Sequence, residues 1–405
     1  MVKLRRIKKL FTLIKRQVMK ILIFEMKTVC YNSYLYFGDA LGSALTALGH
    51  SVEYFKIDED ALDDLEKYVG TSYDLLIDFN SDLPRALMDD DSYFLDHIHA
   101  PFFDVILDHP LYHHDTLKNK LRNFHVVCLD ERHKEYIQKY YPHIKSVTVT
   151  PMTGELAFGQ DSIDWDNYET RPYDIIFSGT YTDPTRIETA INKMPELISN
   201  NVYELIDMMK VDNSLTIEDA VDRLAENEFY DYINSDKPLH TQIFYLADTY
   251  IRCINRKKLV QALDRCDSKI HLFGGLWEEL ELKNAVIHKE IPFNLTFTVF
   301  AKSKISVNIM PGFKAGSHDR VFSAQLNGAV SLTDPTTLLL NEYRDNENIL
   351  FFNLDNIDDV TDKVNSSLSD LGTLKKIAQA GYEISSHKHT WTNIAKIIIS
   401  AINRD

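Results

Sequence analysis

Short apolar runs separated by polar, helix-prone intervals recur along almost the whole chain. In the first part they lie at Lys20 to Phe24, Val52 to Phe55, Leu75 to Phe79, Phe103 to Leu107, Val126 to Leu129 and Ser146 to Thr150. A second series lies at Asp174 to Ser178, Lys269 to Phe273, Ala285 to His288, Ile305 to Ile309, Val330 to Leu332 and Ile349 to Phe352. Runs this short read as strands, and strands alternating with helical intervals build parallel sheets covered on both faces. Two series predict two doubly wound α/β domains, over residues 19–160 and 172–385, facing each other across a cleft. Asp161 to Arg171, polar and poor in aliphatic residues, reads as a linker. About eighty residues separate the first two strands of the second series, far more than an αβ connection needs. That interval contains IEDAVDRLAENEF and TYIRCINRKKLVQAL, helical in pattern, so a helical layer is expected at about residues 186–265.

Composition narrows the function. A chain of 405 residues, 44% of them hydrophobic, can bury more than one core. A net charge of −16 argues against a general nucleic-acid binder, which needs a basic surface. Cys30, Cys128, Cys253 and Cys266 are scattered, without the paired spacings of a zinc site, and read as buried thiols of a reducing, cytoplasmic compartment. No segment approaches the ~20 apolar residues of a membrane span. Residues 1–18 differ from the rest. Lys3, Arg5, Arg6, Lys8, Lys9, Lys15 and Arg16 are unopposed by any acid, and Leu4, Ile7, Phe11, Ile14 and Val18 recur at helical spacing. Two readings stand: a basic amphipathic helix lying on an anionic membrane surface, or an extension preceding the first strand. A signal peptide is not indicated, since no uninterrupted apolar stretch follows the charges.

The stretch GSHDRVFSAQLNGAVSLTDP, Gly316 to Pro335, carries the most chemistry. A helix beginning near His318 and Asp319 aims free N–H groups and a positive dipole end at an anion. Gly316 permits close backbone approach, and Arg320 adds a fork of donors. Gly328 closes the helix, and the following strand ends at Thr333 and Asp334, at the carboxyl edge where α/β ligands gather. The same residues also suit an ordinary capped helix. Gly179 and Thr180 follow the first strand of the second series, where a glycine turn can offer N–H groups to phosphate, with Arg186 close by. Pro184 equally marks a plain helix start with Arg186 on its surface.

In the first half, DVILDHPLYHHD places Asp108, His109, His113 and His114 just beyond an apolar strand. His109 there could serve in proton transfer, oriented by Asp108. A metal set of His109, His113, His114 and Asp115 is disfavoured, because Pro110 interrupts a regular helix. Glu25, Gly38, Asp39 and Gly42 form a further turn that could border a pocket, while His387, His389 and Trp391 suit packing at a domain junction. No P-loop or nucleophile elbow is present.

Five segments in order resemble the group 1 glycosyltransferases of the CgeB-like (spore maturation protein) branch. They are DIIFSGTYTDPTR, DTYIRCINRKKLVQAL, LFGGLW, SVNIMPGFKAGSHDRVFSAQLNGAVSLTD and HKHTW. The resemblance covers the C-terminal half well and the N-terminal half only through ILDHPLYHHD. It implies a GT-B architecture, with a final helix in residues 386–405 crossing back to the first domain. It also implies transfer of a hexose-type sugar from a nucleotide-diphosphate donor, with retention and without a tightly bound metal or cofactor, onto a protein, polysaccharide or lipid-linked glycan. On this reading Gly179, Thr180, Arg186 and Arg320 hold the diphosphate. Asp319, Ser323 and Asp334 border the nucleoside or sugar, and His109 faces the reaction centre. One position departs from the family pattern: Ser323 stands where an acidic residue usually holds the ribose. A carboxylate receives two charge-assisted hydrogen bonds there and a hydroxyl cannot, which leaves a non-catalytic nucleotide-sugar-binding or assembly protein as the alternative.

Overall fold

The computed structural model describes residues 18–26, 33–57, 63–224 and 237–402. Most of the basic N-terminal segment, with its expected membrane surface, and Cys30 lie outside the described residues. No helix among the described residues is long and apolar enough to cross a membrane.

The first sheet comprises β1 (Lys20–Met26), β2 (Ser51–Ile57), β3 (Leu75–Phe79), β4 (Phe102–Val105), β5 (Phe124–Cys128) and β6 (Ser146–Val149) in the order β2-β1-β3-β4-β5-β6. The second comprises β7 (Tyr173–Ser178), β8 (Ile270–Phe273), β9 (Val286–His288), β10 (Ser303–Val307), β11 (Val330–Thr333) and β12 (Leu350–Phe351) in the order β12-β11-β10-β7-β8-β9. Every pairing is parallel. Each of the twelve apolar runs overlaps one of these strands. Alternate residues of β1 show why: Ile21 and Ile23 enter one core, Leu22 and Phe24 the other, and all are fully buried. In both sheets the strand order reverses beside the first strand of the unit. Ligands of open α/β sheets bind outside the carboxyl ends at such a switch point.

Helices cover both faces. α1 (Ser33–Ala47) follows β1, and α2 (Glu131–Tyr140) follows β5, capped by the Asp130 carboxylate accepting from Arg132 N at 2.7 Å. Between β7 and β8 come α3 (Pro184–Ile191), α4 (Glu196–Val211), α5 (Ile217–Leu224) and α6 (Lys237–Leu263). The packing of this layer was not foreseen. Ile243, Phe244, Ala247 and Ile251 of α6 share a core with the first sheet, whereas Leu259, Val260 and Leu263 of the same helix share one with the second. Arg132 of α2 pairs with Asp219 of α5, and the Tyr112 hydroxyl donates to Asp248 of α6. The layer therefore straps the two halves together, with the middle of α6 at the cleft.

Further on lie α7 (Thr296–Ala301), α8 (Asp319–Leu326), α9 (Leu371–Lys388) and α10 (Trp391–Ile402). Ile394, Ala395, Ile398 and Ala401 form the apolar stripe by which α10 returns to the first sheet and packs on α1. Trp391 Nε1 donates to the Tyr36 hydroxyl at 3.1 Å, and His389 stacks on Phe322 with ring centroids 3.6 Å apart. Both pack the junction between the halves. His387 instead lies exposed, its Nδ1 2.7 Å from the Glu383 carbonyl on the preceding turn.

Candidate functional site

A cavity of about 250 Å³ opens between the carboxyl ends of the two sheets. Ser33, Phe37, Leu107, Asp108, Leu129 and Met152 line it from the first half. The second half contributes Ser178, Gly179, Arg252, Phe273, Gly274, Ile291, Phe293, Phe300, His318, Asp319 and Arg320. A small adjoining cavity shares Asp108, Arg252, His318 and Arg320 and adds His109, Asp248 and Arg256.

Three guanidiniums converge here. Arg252 and Arg256 lie one turn apart on α6, hence on one face, and Arg320 sits in the first turn of α8. All three are half-buried and line these cavities. Arg320 Nη1 donates to the Ser178 carbonyl at 3.0 Å. Arg256 donates to the Thr180 carbonyl and lies 5.7 Å from the Phe177 ring centroid, while its Nε finds no partner among the described residues. Burial, then the charges of Arg320 and Arg252, push Arg256 down to about 9. Burial also lowers Arg320, with Arg252 adding to the effect and Asp319 opposing it. A guanidinium does not give up its proton in a protein. The displacement therefore expresses an electrostatic stress that a bound anion would relieve.

At the head of α8, His318 Nδ1 lies 2.5 Å from Asp319 Oδ1. That contact requires Nδ1 to carry the proton, which takes precedence over the 3.5 Å approach of Arg320 N to the same atom. His318 Nε2 is then the acceptor, 3.4 Å from Arg320 Nη2. Burial raises Asp319, but the interaction with His318, its hydrogen bond included, and the Arg320 charge outweigh it and hold the carboxyl below its ordinary range. Across the cleft, the half-buried Asp108 carboxylate makes no hydrogen bond among the described residues.

Several expected residues are placed differently. His109 does not reach the main cavity. It is turned inward, its Nδ1 accepting from Leu111 N at 3.1 Å and its Nε2 3.5 Å from Glu218 Oε2, with its ring against His133. Adjacent residues leaving a strand point to opposite sides, so Asp108 enters the main cavity while the buried His109 borders only the small adjoining one. Arg186 is exposed on α3 and paired with Glu279, away from the cavity, because Asp183 caps α3 and orients its first turn outward. Gly179 lines the cavity, yet its N–H is spent on the Phe273 carbonyl at 2.8 Å and is not offered to a phosphate. Thr180 contributes its carbonyl to Arg256 rather than a donor to the cavity.

Gly316 serves the contact between the halves instead of an anion. A Cβ there would stand 2.0 Å from the Leu129 carbonyl oxygen, and Asp130 Oδ2 accepts from Lys314 N and Ala315 N at 2.9 and 2.8 Å. Asp334 is buried behind β10, accepting from Met310 N at 2.9 Å, and burial raises it to about 6. Glu25 is wedged under α1 against Gly38, where burial, with Asp39 adding to it, raises it to about 7. Neither Asp334 nor Glu25 lines the cavity. Among the described residues no cluster of His, Cys, Asp and Glu is arranged for a metal ion, so His109, His113, His114 and Asp115 do not form one.

Ser323 is fully buried and bonds back to the Asp319 carbonyl at 2.8 Å. It faces Gly154: a Cβ built on that glycine would meet Ser323 Oγ at 2.4 Å. The position is sealed against the connector from the first sheet, so a carboxylate has no room here and no ligand to hold. Ser323→Glu is accordingly expected to destabilise the fold by about 1–3 kcal/mol through overpacking, without raising nucleotide affinity. Thermal denaturation with and without nucleotide checks both.

Arg252 and Arg256 were missed by sequence reasoning. The available signal was a pair of arginines at i and i+4, on one face of a helix that also carries Lys257 and Lys258. Gly274, with φ at +141°, was also missed; a Cβ there would meet the Gly179 carbonyl oxygen at 2.2 Å, so only glycine lets these two turns close on each other.

Comparison with known proteins agrees with the architecture. Residues 255–400 match the family model described as glycosyl transferase-like. No curated protein matches the sequence significantly. Among solved structures, sucrose-phosphate synthase from Thermosynechococcus elongatus superposes with a TM-score of 0.52 at 11% identity, covering 95% of this chain and 98% of that one. Phage T4 BGT in complex with its UDP-glucose substrate gives 0.53 at 13% identity, covering 95% and 99%. Anabaena HepE in complex with UDP-glucose gives 0.52 at 11% identity, covering 96% and 100%. The chain thus has the two-domain GT-B fold, and its residues 255–400 carry the pattern of the glycosyl transferase-like family.

Proposed function

We propose that the protein is a cytoplasmic glycosyltransferase that moves a hexose-type sugar from a nucleotide-diphosphate donor to a hydroxyl of a protein, polysaccharide or lipid-linked glycan. The observation that carries this reading is the convergence of Arg252, Arg256 and Arg320 on a cleft between two Rossmann-like halves. As the glycosidic bond to phosphate breaks, negative charge grows on the leaving diphosphate, and fixed cations in an enclosed site stabilise it most. The wall of Phe273, Ile291 and Phe300 suits the flat face of a base. Asp108, across the cavity, orients the attacking hydroxyl by accepting its hydrogen bond. Uridine diphosphate glucose is the first donor to test, since structurally similar proteins are seen with it. Retention, independence from metal and membership of the CgeB-like branch are carried by the sequence resemblance. The buried free thiols of Cys128, Cys253 and Cys266 suit a reducing compartment.

The alternative of a non-catalytic binder rested on Ser323, whose side chain does not face the cavity and so no longer argues for lost activity. The test is release of nucleotide from a panel of uridine, guanosine, thymidine and cytidine diphosphate sugars without added acceptor. Slow release from one of them, absent in Arg320→Ala, is expected. Release from none, with acceptor extracts added or omitted, contradicts the reading.

A further inference from the structure

Asp108 has no hydrogen bond among the described residues to aim it, so its direction is set by the backbone that carries it. Beyond β4 the chain leaves the sheet in two steps. Ile106 N still donates to the Val127 carbonyl at 2.8 Å. Leu107 N, the amide directly before Asp108, donates instead to the side-chain oxygen of Asn80 at 2.8 Å. His109 Nδ1 holds the other flank through Leu111 N.

Asn80 is itself held in an uncommon conformation. Its φ is +48°, in the left-handed region that few residues other than glycine, asparagine and aspartate enter readily. Its own N–H donates to the Val105 carbonyl at 3.0 Å. The turn around it is fixed from beneath. Ser81 N donates to Asp104 Oδ1 at 3.0 Å, Ser81 Oγ donates to Asp78 Oδ2 at 2.7 Å, and Leu83 N donates to Ser81 Oγ at 3.1 Å. Asp78, Ser81 and Asp104 are all buried, and burial raises both carboxyls, Asp104 to about 7. A buried polar turn of this kind, stabilised by side chains from two adjacent strands, is expensive to form without a return. Among the described residues it is joined toward the cleft by the Asn80 bond to the segment bearing Asp108.

We propose that Asn80 is a positioning residue: its side-chain amide pins the Leu107 backbone so that the Asp108 carboxylate faces the cavity. The proposal rests on the role given to Asp108 above. Asn80→Gly is the informative variant, because glycine keeps the left-handed backbone and removes only the side-chain acceptor. Losing one hydrogen bond of this kind is expected to speed amide exchange in the segment 105–109 roughly tenfold, with exchange in β10 and β11 unchanged. Nucleotide release from the sugar donor is expected to slow roughly tenfold, as for a catalytic group misplaced by a fraction of an ångström. Affinity for the nucleoside diphosphate should stay the same.

A double-mutant cycle separates positioning from general damage. If Asn80 acts through Asp108, Asn80→Gly adds nothing in an Asp108→Asn background. Unchanged exchange at residues 105–109, or effects of the two substitutions that multiply, would overturn the proposal. If Asp108→Asn alone leaves release unaltered, the role of Asp108 fails and the proposal falls with it. That outcome is distinguishable, because the exchange measurement still reports whether Asn80 holds the segment.

Discussion

Arg256→Ala is expected to weaken binding of a nucleoside diphosphate by roughly 30-fold to 5 × 10³-fold, since truncating one partner of an enclosed charge pair costs about 2–5 kcal/mol. The same substitution should leave the unliganded protein melting within about 2 °C of the parent. Two contributions to the empty fold oppose each other. The variant loses the hydrogen bond to the Thr180 carbonyl, and it relieves the repulsion from Arg320 and Arg252 that presses on Arg256. An arginine that merely braced the structure would show the reverse, with a lower melting temperature and unchanged affinity. Calorimetric titration together with thermal denaturation reads both quantities, and equal affinity in parent and variant would remove Arg256 from the site.

Asp108→Asn is expected to slow sugar transfer about 10²-fold, at the low end of what a positioned proton-accepting group contributes. Asparagine keeps the shape and loses the charge. Donor affinity should not fall and should rise modestly, because the Asp108 carboxylate partly offsets Arg252 and Arg320, and its removal leaves those cations freer for the diphosphate. Slower turnover with tighter donor binding is a combination that general damage to the fold does not produce. Steady-state kinetics and nucleotide titration of the variant check it, and unchanged turnover would return the reaction centre to another group.

How much of this was legible in the sequence follows from which interactions are local. The strands were readable because β1, β3, β4 and β5 are buried on both faces and so run as largely apolar segments, broken within β3, β4 and β5 only by the buried Asp78, Asp104 and His125. The head of α8 was readable for a different reason: His318, Asp319 and Arg320 are consecutive, and an acid in the first turn after a glycine-containing turn marks a helix start. Arg252 and Arg256 were not readable as site residues. They precede Arg320 in the chain by more than two intervening strands, and only the passage of α6 between two cores carries them to the cleft. The choice between Asp108 and His109 was equally closed to sequence, since it depends on where one strand leaves the sheet. Ser323 misled in the opposite direction. Its helical neighbours are informative, but the short connector at Gly154 that covers it is distant in sequence.

The measurement that bears most directly on the central claim is thermal denaturation of the unmodified protein with uridine, guanosine, thymidine and cytidine diphosphates at millimolar concentration. A ligand that binds the folded state raises the unfolding temperature by mass action. A clear rise with one nucleotide, absent with inorganic phosphate at equal ionic strength, is the predicted result and names the donor base. No rise with any of the four would contradict a diphosphate site at Arg252, Arg256 and Arg320, and with it the assignment of glycosyl transfer to this cleft.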